Sequence, residues 1–412
     1  MRIGLVVPHI FMSDTILPKV IFAPGELSIN LANHLQSKGE DVYLFTPSKV
    51  TTTANNITAD MSFFENELKL RNCSYLDLLM KHPLIFISLA RQVQGELIAN
   101  AYTMANNNQL DIIHVYTNEE DIAITFAQLC HKPVVFTHHD PFNYYVRYRN
   151  VFPKYKNLNW VLLSYAQRVM MPKDTNWVAN VYHGLDMTKY KPNYQNNSKY
   201  IVFIGRLIEP KAVHLAIKAT IIYNQNHPKS KLKLIIAGKY YSEKNIPKYW
   251  LTKVKPLIDN KYIKYIGIIR NIAAKNKLLG EAKVLIIPSV FEEPFGMVMI
   301  ESLACATPVI GLDSGSIPEI INDQVTGLIV KKIFNKSARS NNKNQKPSLN
   351  ETKTANAIAR AIDQIDTINR HDCRKIFEER FSSERMCNEY VSVYSKLIND
   401  QSNSTKVSPT AL

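Results

Sequence analysis

Residues 289–311 read SVFEEPFGMVMIESLACATPVIG. Two carboxylates, Glu293 and Glu301, stand eight positions apart around a Pro-Phe-Gly turn and a short apolar run. Glu293 precedes Pro294, which biases it away from helix. Pro294 and Gly296 suit a helix start, and residues 297–305 carry it on. At a rise of ~1.5 Å per residue, Glu301 is expected about 12 Å further along. Carboxyl pairs that cleave one glycosidic bond sit roughly 5–9.5 Å apart. This pair is therefore expected to hold the two ends of an elongated ligand. The N–H groups of Phe295, Gly296 and Met297 would face something anionic or strongly hydrogen-bonding.

The helix is flanked by AKVLIIPS before it and TPVIGL after it, both short and apolar. Further upstream lie KYIVFIGR, LKLIIAGK and IKYIGII, with helical patterns between. The first half carries the same rhythm in IGLVV, DVYLF, DIIHVY and PVVFTHH. These runs are rich in Val and Ile and do not alternate, as expected of parallel strands covered on both faces. In GELSINLANHLQSKG, Leu27, Leu31 and Leu35 mark one helix face and Gly39 its end. NLNWVLLSYAQRVMM is a second helix candidate. Strand and helix alternate twice over, which predicts an α/β chain of two doubly wound parallel sheets.

The 412 residues allow two cores. The 46% hydrophobic and 21% charged content is that of a globular chain. The formal net charge of +15 favours anionic partners or serves solubility. It is dispersed rather than gathered in a nucleic-acid motif. Five scattered cysteines form no CxxC, so free thiols in a reducing cytoplasm are expected and no zinc site is. No 18-residue apolar run is present. No GxGxxG follows the first strand, which argues against a dinucleotide-dependent dehydrogenase.

Arg206 ends a strand and Lys211 follows five residues later at a helix start, so both could converge on a diphosphate. Gly25 lies between Pro24 and the next helix, where backbone can approach a phosphate closely. His138 and His139 end the strand PVVFTHH, the end at which open α/β sheets hold ligands.

The stretch PSVFEEPFGMVMIESLACATPVIGLDSGSIPEIINDQVTGLIV strongly resembles the signature of nucleotide-sugar glycosyltransferases of family 4. YIVFIGRLIEPKAVHLAIKA, YHGLDMTKYKP, FAPGELSINLANHLQSKGEDVYLFTPS and PVVFTHHDPF are similar to further family segments in the same order. The resemblance spans nearly the whole chain apart from 335–352 and the tail. It implies a GT-B fold of two Rossmann-like domains facing a cleft. The expected boundaries are 1–183 for an acceptor domain, joined by a last helix at 377–398 that crosses back to it, and 184–376 for a donor domain. Residues 335–352 are expected as an exposed loop and 399–412 as a flexible tail. By the resemblance, Arg206 and Lys211 take the donor diphosphate, as does Gly25. Glu293 and the 295–297 backbone take the sugar, Glu301 the ribose, and His139 the sugar or the acceptor. Three positions depart from the family: Ala212 and Ala306 replace glycines, and Tyr116 replaces a histidine. The two alanines are expected to fit if their φ is negative.

The function implied is retaining transfer of a hexose or related sugar from a UDP- or GDP-sugar to a glycan, lipid-linked or small-molecule acceptor. No cofactor and no metal are expected, because Arg206 and Lys211 supply the positive charge. The alternative is a catalytically silent GT-B scaffold that binds sugar nucleotides or glycans. NYYVRYRNVFPKYKN at 143–157 reads as a solvated loop flanking the acceptor cleft, with peripheral contact with an anionic membrane as the other reading its basic and aromatic residues allow.

Overall fold

The computed structural model describes residues 1–13, 22–143, 145–195, 198–239, 246–335 and 348–406. They form two compact units: Met1–Gly184 together with Ser383–Leu412, and Leu185–Ser382.

In the first unit, the described residues hold seven strands: β1 (Arg2–Val6), β2 (Asp41–Thr46), β3 (Asn55–Thr58), β4 (Ile112–Thr117), β5 (Val134–His138), β6 (Asn159–Leu162) and β7 (Trp177–Asn180). Their order is β3-β2-β1-β4-β5-β6-β7, with β1 parallel to both β2 and β4. The direction of winding reverses between β1 and β4, the place where such sheets open a crevice. Leu27, Leu31 and Leu35 are buried on the helix Ala23–Ser37, and Gly39 takes the left-handed φ of 87° just past its end. The helix Ser383–Lys406 belongs to this unit, and its Met386, Tyr390 and Tyr394 are fully buried. The Tyr394 hydroxyl meets His114 Nδ1 at 2.7 Å, and Tyr390 meets Thr137 at 3.1 Å.

In the second unit, the described strands are β8 (Tyr200–Ile204), β9 (Lys233–Ala237), β10 (Ile263–Tyr265), β11 (Leu285–Ile287), β12 (Val309–Leu312) and β13 (Gly327–Val330). The order β10-β9-β8-β11-β12-β13 is again parallel, and the winding reverses between β8 and β11. The helices Val213–Asn226 and Glu351–Gln364 pack together, and the helix Met297–Ala304 follows β11.

Several expectations are corrected. NLNWVLLSYAQRVMM is not one helix: Asn159–Leu162 is an interior strand between β5 and β7, buried over Trp160–Leu162, and only Tyr165–Met170 coils, as a 3-10 turn. A buried apolar run this short does not separate strand from helix by periodicity. The helix expected at 377–398 is two helices, Arg370–Phe381 and Ser383–Lys406, broken at Ser382, whose ψ of 148° is extended. Residues 399–406, expected as tail, continue the second of these, while 407–412 lie outside the described residues. Of the expected loop 335–352, residues 336–347 lie outside the described residues. Its ends are tied: Phe334 bridges Leu349, Asn335 N–H donates to Ser348 O at 2.8 Å, and Glu351 already starts a helix.

Candidate active site

The second unit gathers its charged residues where the winding reverses. Arg206 is exposed two residues past the end of β8. Lys211 ends the 3-10 turn Glu209–Lys211, directly before the helix Val213–Asn226. Glu293 lies in the loop after β11 and is buried. The Lys211 ammonium pairs with Glu293 Oε1, and the Ser289 hydroxyl donates to the same oxygen at 2.8 Å. Val290 N–H donates to Pro210 O at 2.9 Å, so the two loops are also joined through backbone. Lys211 Nζ stands 5.0 Å from the centre of the Phe291 ring.

A second loop holds Glu293 from behind. Gly315 has φ of +54°, and a Cβ there would fall 2.3 Å from the Glu293 nitrogen and 2.5 Å from its carbonyl oxygen. Only glycine allows this approach. Gly315 N–H donates to Glu292 Oε2 at 2.5 Å, and Ser316 N–H to Glu293 O at 2.9 Å. The Ser314 and Ser316 hydroxyls donate to Phe291 O and Phe295 O, fixing both sides of the turn.

The helix starts later than expected, at Met297. Gly296 is its N-cap, with φ 86° and ψ 68°, and no side chain caps it. Phe295 is buried, while Gly296 and Met297 are partly exposed. Glu301, in the middle of this helix, is also nearly buried. Its Oε1 accepts from Lys275 Nζ at 2.8 Å and from the Tyr190 hydroxyl at 3.2 Å. Ser289, Lys275, Tyr190 and Gly315 were not picked out from sequence. Their roles depend on loops that meet only in three dimensions; the sole local signal was a serine four residues before Glu293.

The two alanines also differ from expectation. Ala212 has φ of 48° and Ala306 of 62°, both left-handed, and both are buried. The backbone keeps the shape a glycine would take, at a steric cost to each Cβ.

In the first unit, Gly25 is not in a loop. It is the third residue of the helix Ala23–Ser37, because Pro24 fits the first helical turn. Gly25 is buried, and a Cβ on it would meet Met12 Sδ at 2.3 Å. His138 is the last residue of β5 and fully buried, with Nδ1 at 2.9 Å from Glu120 Oε1. Burial pushes the Glu120 carboxyl well above the usual carboxylate range. His139 follows, its ring stacked on His183 at 5.1 Å and 10° and set against Tyr116 at 4.3 Å. Its Nε2 is buried without a hydrogen-bond partner. Burial, then the neighbouring His183, holds its pKa well below the usual value, so the ring is neutral. Gln167 clamps the backbone on either side of it, with Nε2 at 3.3 Å from both His138 O and Asp140 O. Tyr116 fills the family's histidine position and reaches His183 Nδ1 at 3.3 Å.

Two family models match the chain in series. Glycosyltransferase Family 4 matches residues 27–175, and Glycosyl transferases group 1 matches residues 187–364. A putative glycosyltransferase of Bacillus subtilis, YtcC, is 24% identical over 340 residues, covering 76% of this chain and 78% of its own. An uncharacterized glycosyltransferase of Methanocaldococcus jannaschii, MJ1607, is 33% identical over 136 residues, which is 33% of each chain. The present chain thus spans about a third of that relative's length. Among solved structures, Anabaena HepE in complex with UDP and glucose superposes with a TM-score of 0.64 at 16% identity, over 96% of this chain and 100% of that one. With the two parallel sheets, each winding both ways from its centre, these matches place the chain among the family 4-like glycosyltransferases of the GT-B fold.

Proposed function

We propose that the protein is a retaining glycosyltransferase that moves a hexose or related sugar from a nucleotide-diphospho-sugar to a hydroxyl of a glycan, lipid-linked or small-molecule acceptor. The ion pair between partly exposed Lys211 and buried Glu293, at the winding reversal of the second sheet, carries this reading. A cation held at a helix start beside an exposed arginine suits a departing diphosphate. Glu293, fixed by Ser289 and the Gly315 loop, would accept from sugar hydroxyls. Glu301, steadied by Lys275 and Tyr190, would accept from the ribose. The backbone of Phe295, Gly296 and Met297 would face the sugar. HepE, which shares the fold, is described with UDP and with UDP-glucose.

In this reading the protein stabilises charge as it develops. Arg206 and Lys211 neutralise the leaving diphosphate, and a donor phosphate oxygen takes the acceptor proton, so the sugar leaves and is attacked on one face. No metal or cofactor is assigned to this task. Gly25 would take the donor diphosphate, and His139 would use its neutral Nε2 to hold the donor sugar or the acceptor. Five free thiols suit a reducing cytoplasm. No helix among the described residues is long and apolar enough to cross a membrane. Peripheral contact would use exposed Tyr145 and Val146 with Arg149 and Lys154.

The test is a panel of UDP- and GDP-sugars, with product anomer read by NMR. Retained configuration is expected, with activity falling at least tenfold in Arg206→Ala from loss of a charge-assisted contact of roughly 1.5–3 kcal/mol. An inverted product, or full activity in that variant, overturns the assignment.

A further inference from the structure

At the opposite end of the second sheet, away from Arg206 and Glu293, lies a cavity of about 420 Å³. It is lined by five lysines, Lys199, Lys231, Lys233, Lys261 and Lys264, with Tyr200, Ile235 and Asn260. No carboxylate lines it.

Strand register builds the cluster. Tyr200 stands opposite Lys233 on β8 and β9, and Lys264 opposite Ile235 on β10 and β9. Opposed residues of parallel strands share a face, as do residues two apart. Tyr200, Lys233, Ile235 and Lys264 therefore face one way, near the amino-terminal ends of their strands. The loops before β9 and β10 add Lys231 and Lys261, whose ammonium groups lie 5.3 and 5.4 Å from the Tyr262 ring centre. Asn260, at a left-handed φ of 58°, turns the chain so that Lys261 joins the rim.

The charge is uncompensated. Elsewhere in this unit, Lys211, Lys218, Lys253, Lys275, Lys283 and Lys332 each pair with a carboxylate. Among the described residues no such pair involves any of the five cavity lysines. The nearest acid in sequence, Asp259, spends Oδ1 on the backbone N–H groups of Lys261, Tyr262 and Ile263. Like charges gathered in a concavity repel one another and set up a local field that draws a counter-ion. Lysines on an edge strand also discourage sheet-to-sheet pairing. That role does not account for Lys233 on the interior strand β9, nor for Lys199, Lys231 and Lys261 outside the strands.

We propose that this lysine cradle binds a polyphosphorylated anion, at a site separate from the one that takes the donor. Lysine suits the task, since its ammonium acts as a point charge on phosphate and needs no planar bidentate match. The phosphates could belong to a soluble oligophosphate or to a polyphosphorylated lipid headgroup, and the experiment separates the two.

The full chain is titrated with tripolyphosphate by calorimetry, at low and high salt, with saturating UDP present to occupy the Arg206–Lys211 end. Saturable binding that weakens with salt is expected. It should fall at least tenfold in K233E/K264E and partly in K233Q/K264Q, and stay unchanged in Arg206→Ala. Circular dichroism confirms that the variants are folded. Vesicles of phosphatidylcholine with and without a phosphoinositide bisphosphate form the second arm. Co-sedimentation that requires the phosphoinositide and is lost in K233E/K264E identifies a lipid headgroup. Tripolyphosphate binding without such co-sedimentation identifies a soluble anion. No saturable binding of tripolyphosphate, or binding equal in parent and K233E/K264E, overturns the proposal.

Discussion

The Lys211 ammonium and the Glu293 carboxylate form an ion pair across 82 positions of sequence, with Glu293 about 5% exposed and Lys211 about 20%. Breaking such a pair leaves a buried charge with too few partners, which costs more than the pair contributes when intact. Lys211→Met is expected to lose about 2–3 kcal/mol of stability. The double variant Lys211→Met/Glu293→Gln should recover at least half of that loss while remaining inactive. Urea denaturation beside a transfer assay checks this; additive losses would show that the two side chains act independently.

Glu301 and Lys275 should move together. Their contact of 2.8 Å, with Tyr190 on the same oxygen, makes Lys275 a positioning residue for the carboxylate. Both Glu301→Gln and Lys275→Met are expected to raise donor KM several-fold with little change in kcat, since the proposed function puts this carboxylate on the ribose, remote from the reacting bond. A fall in kcat at unchanged KM would remove Glu301 from the ribose.

Ala212 and Ala306 predict a gain. Each sits at positive φ, where a Cβ costs roughly 1–2 kcal/mol and glycine gives back part of that as chain entropy. Ala212→Gly and Ala306→Gly should each stabilise by about 0.5–1 kcal/mol. A lower denaturation midpoint in either would mean that its backbone is not left-handed in solution.

Acid should destabilise the protein well before its carboxylates titrate. Burial pushes His114 and His183 down to about 3 and His214 to about 4, and holds His139 well below its usual value. In the unfolded chain these rings take up protons below about pH 6.5, while the folded protein keeps them neutral. Stability is therefore fully present above that pH and falls as pH drops, by about 1.4 kcal/mol per unit for each histidine. Glu120 has the opposite sign, its raised pKa costing stability as pH rises above the ordinary carboxylate range, but it is one group against four. Urea melts at pH 7, 6 and 5 should show a steep loss, shallower in His114→Gln. A flat profile would mean that these histidines are hydrated.

The doubly wound architecture was legible because interior parallel strands such as IVFI and VLII must be apolar on both faces. The strand Asn159–Leu162 was not, because its four residues run straight into a coil of similar polarity. Arg206, Lys211, Glu293 and Glu301 could be singled out because the stretches around them resemble the family signature. Their supports could not: Gly315 matters only because the 313–316 loop folds onto the Glu292–Glu293 peptide. Likewise, Ala212 and Ala306 could be marked as departures, but a φ angle is not written in a residue type that adopts either sign under pressure from its neighbours.

The first unit takes its last helix from residues 383–406, and Tyr394 from that helix is the partner of His114 Nδ1 in its core. The second unit, 185–382, is one unbroken stretch of chain. On the ribosome, then, the half made first is the half completed last. Until residues 383–406 emerge, His114 and Thr137 lack the tyrosines that cover them, while the described strands of the later-made unit, which end at Val330, come earlier in the chain. A nascent chain with residues 185–382 clear of the ribosome and 383–406 not yet released would hold a complete second unit while the first unit's sheet still lacked this helix, which is the state a chaperone would meet.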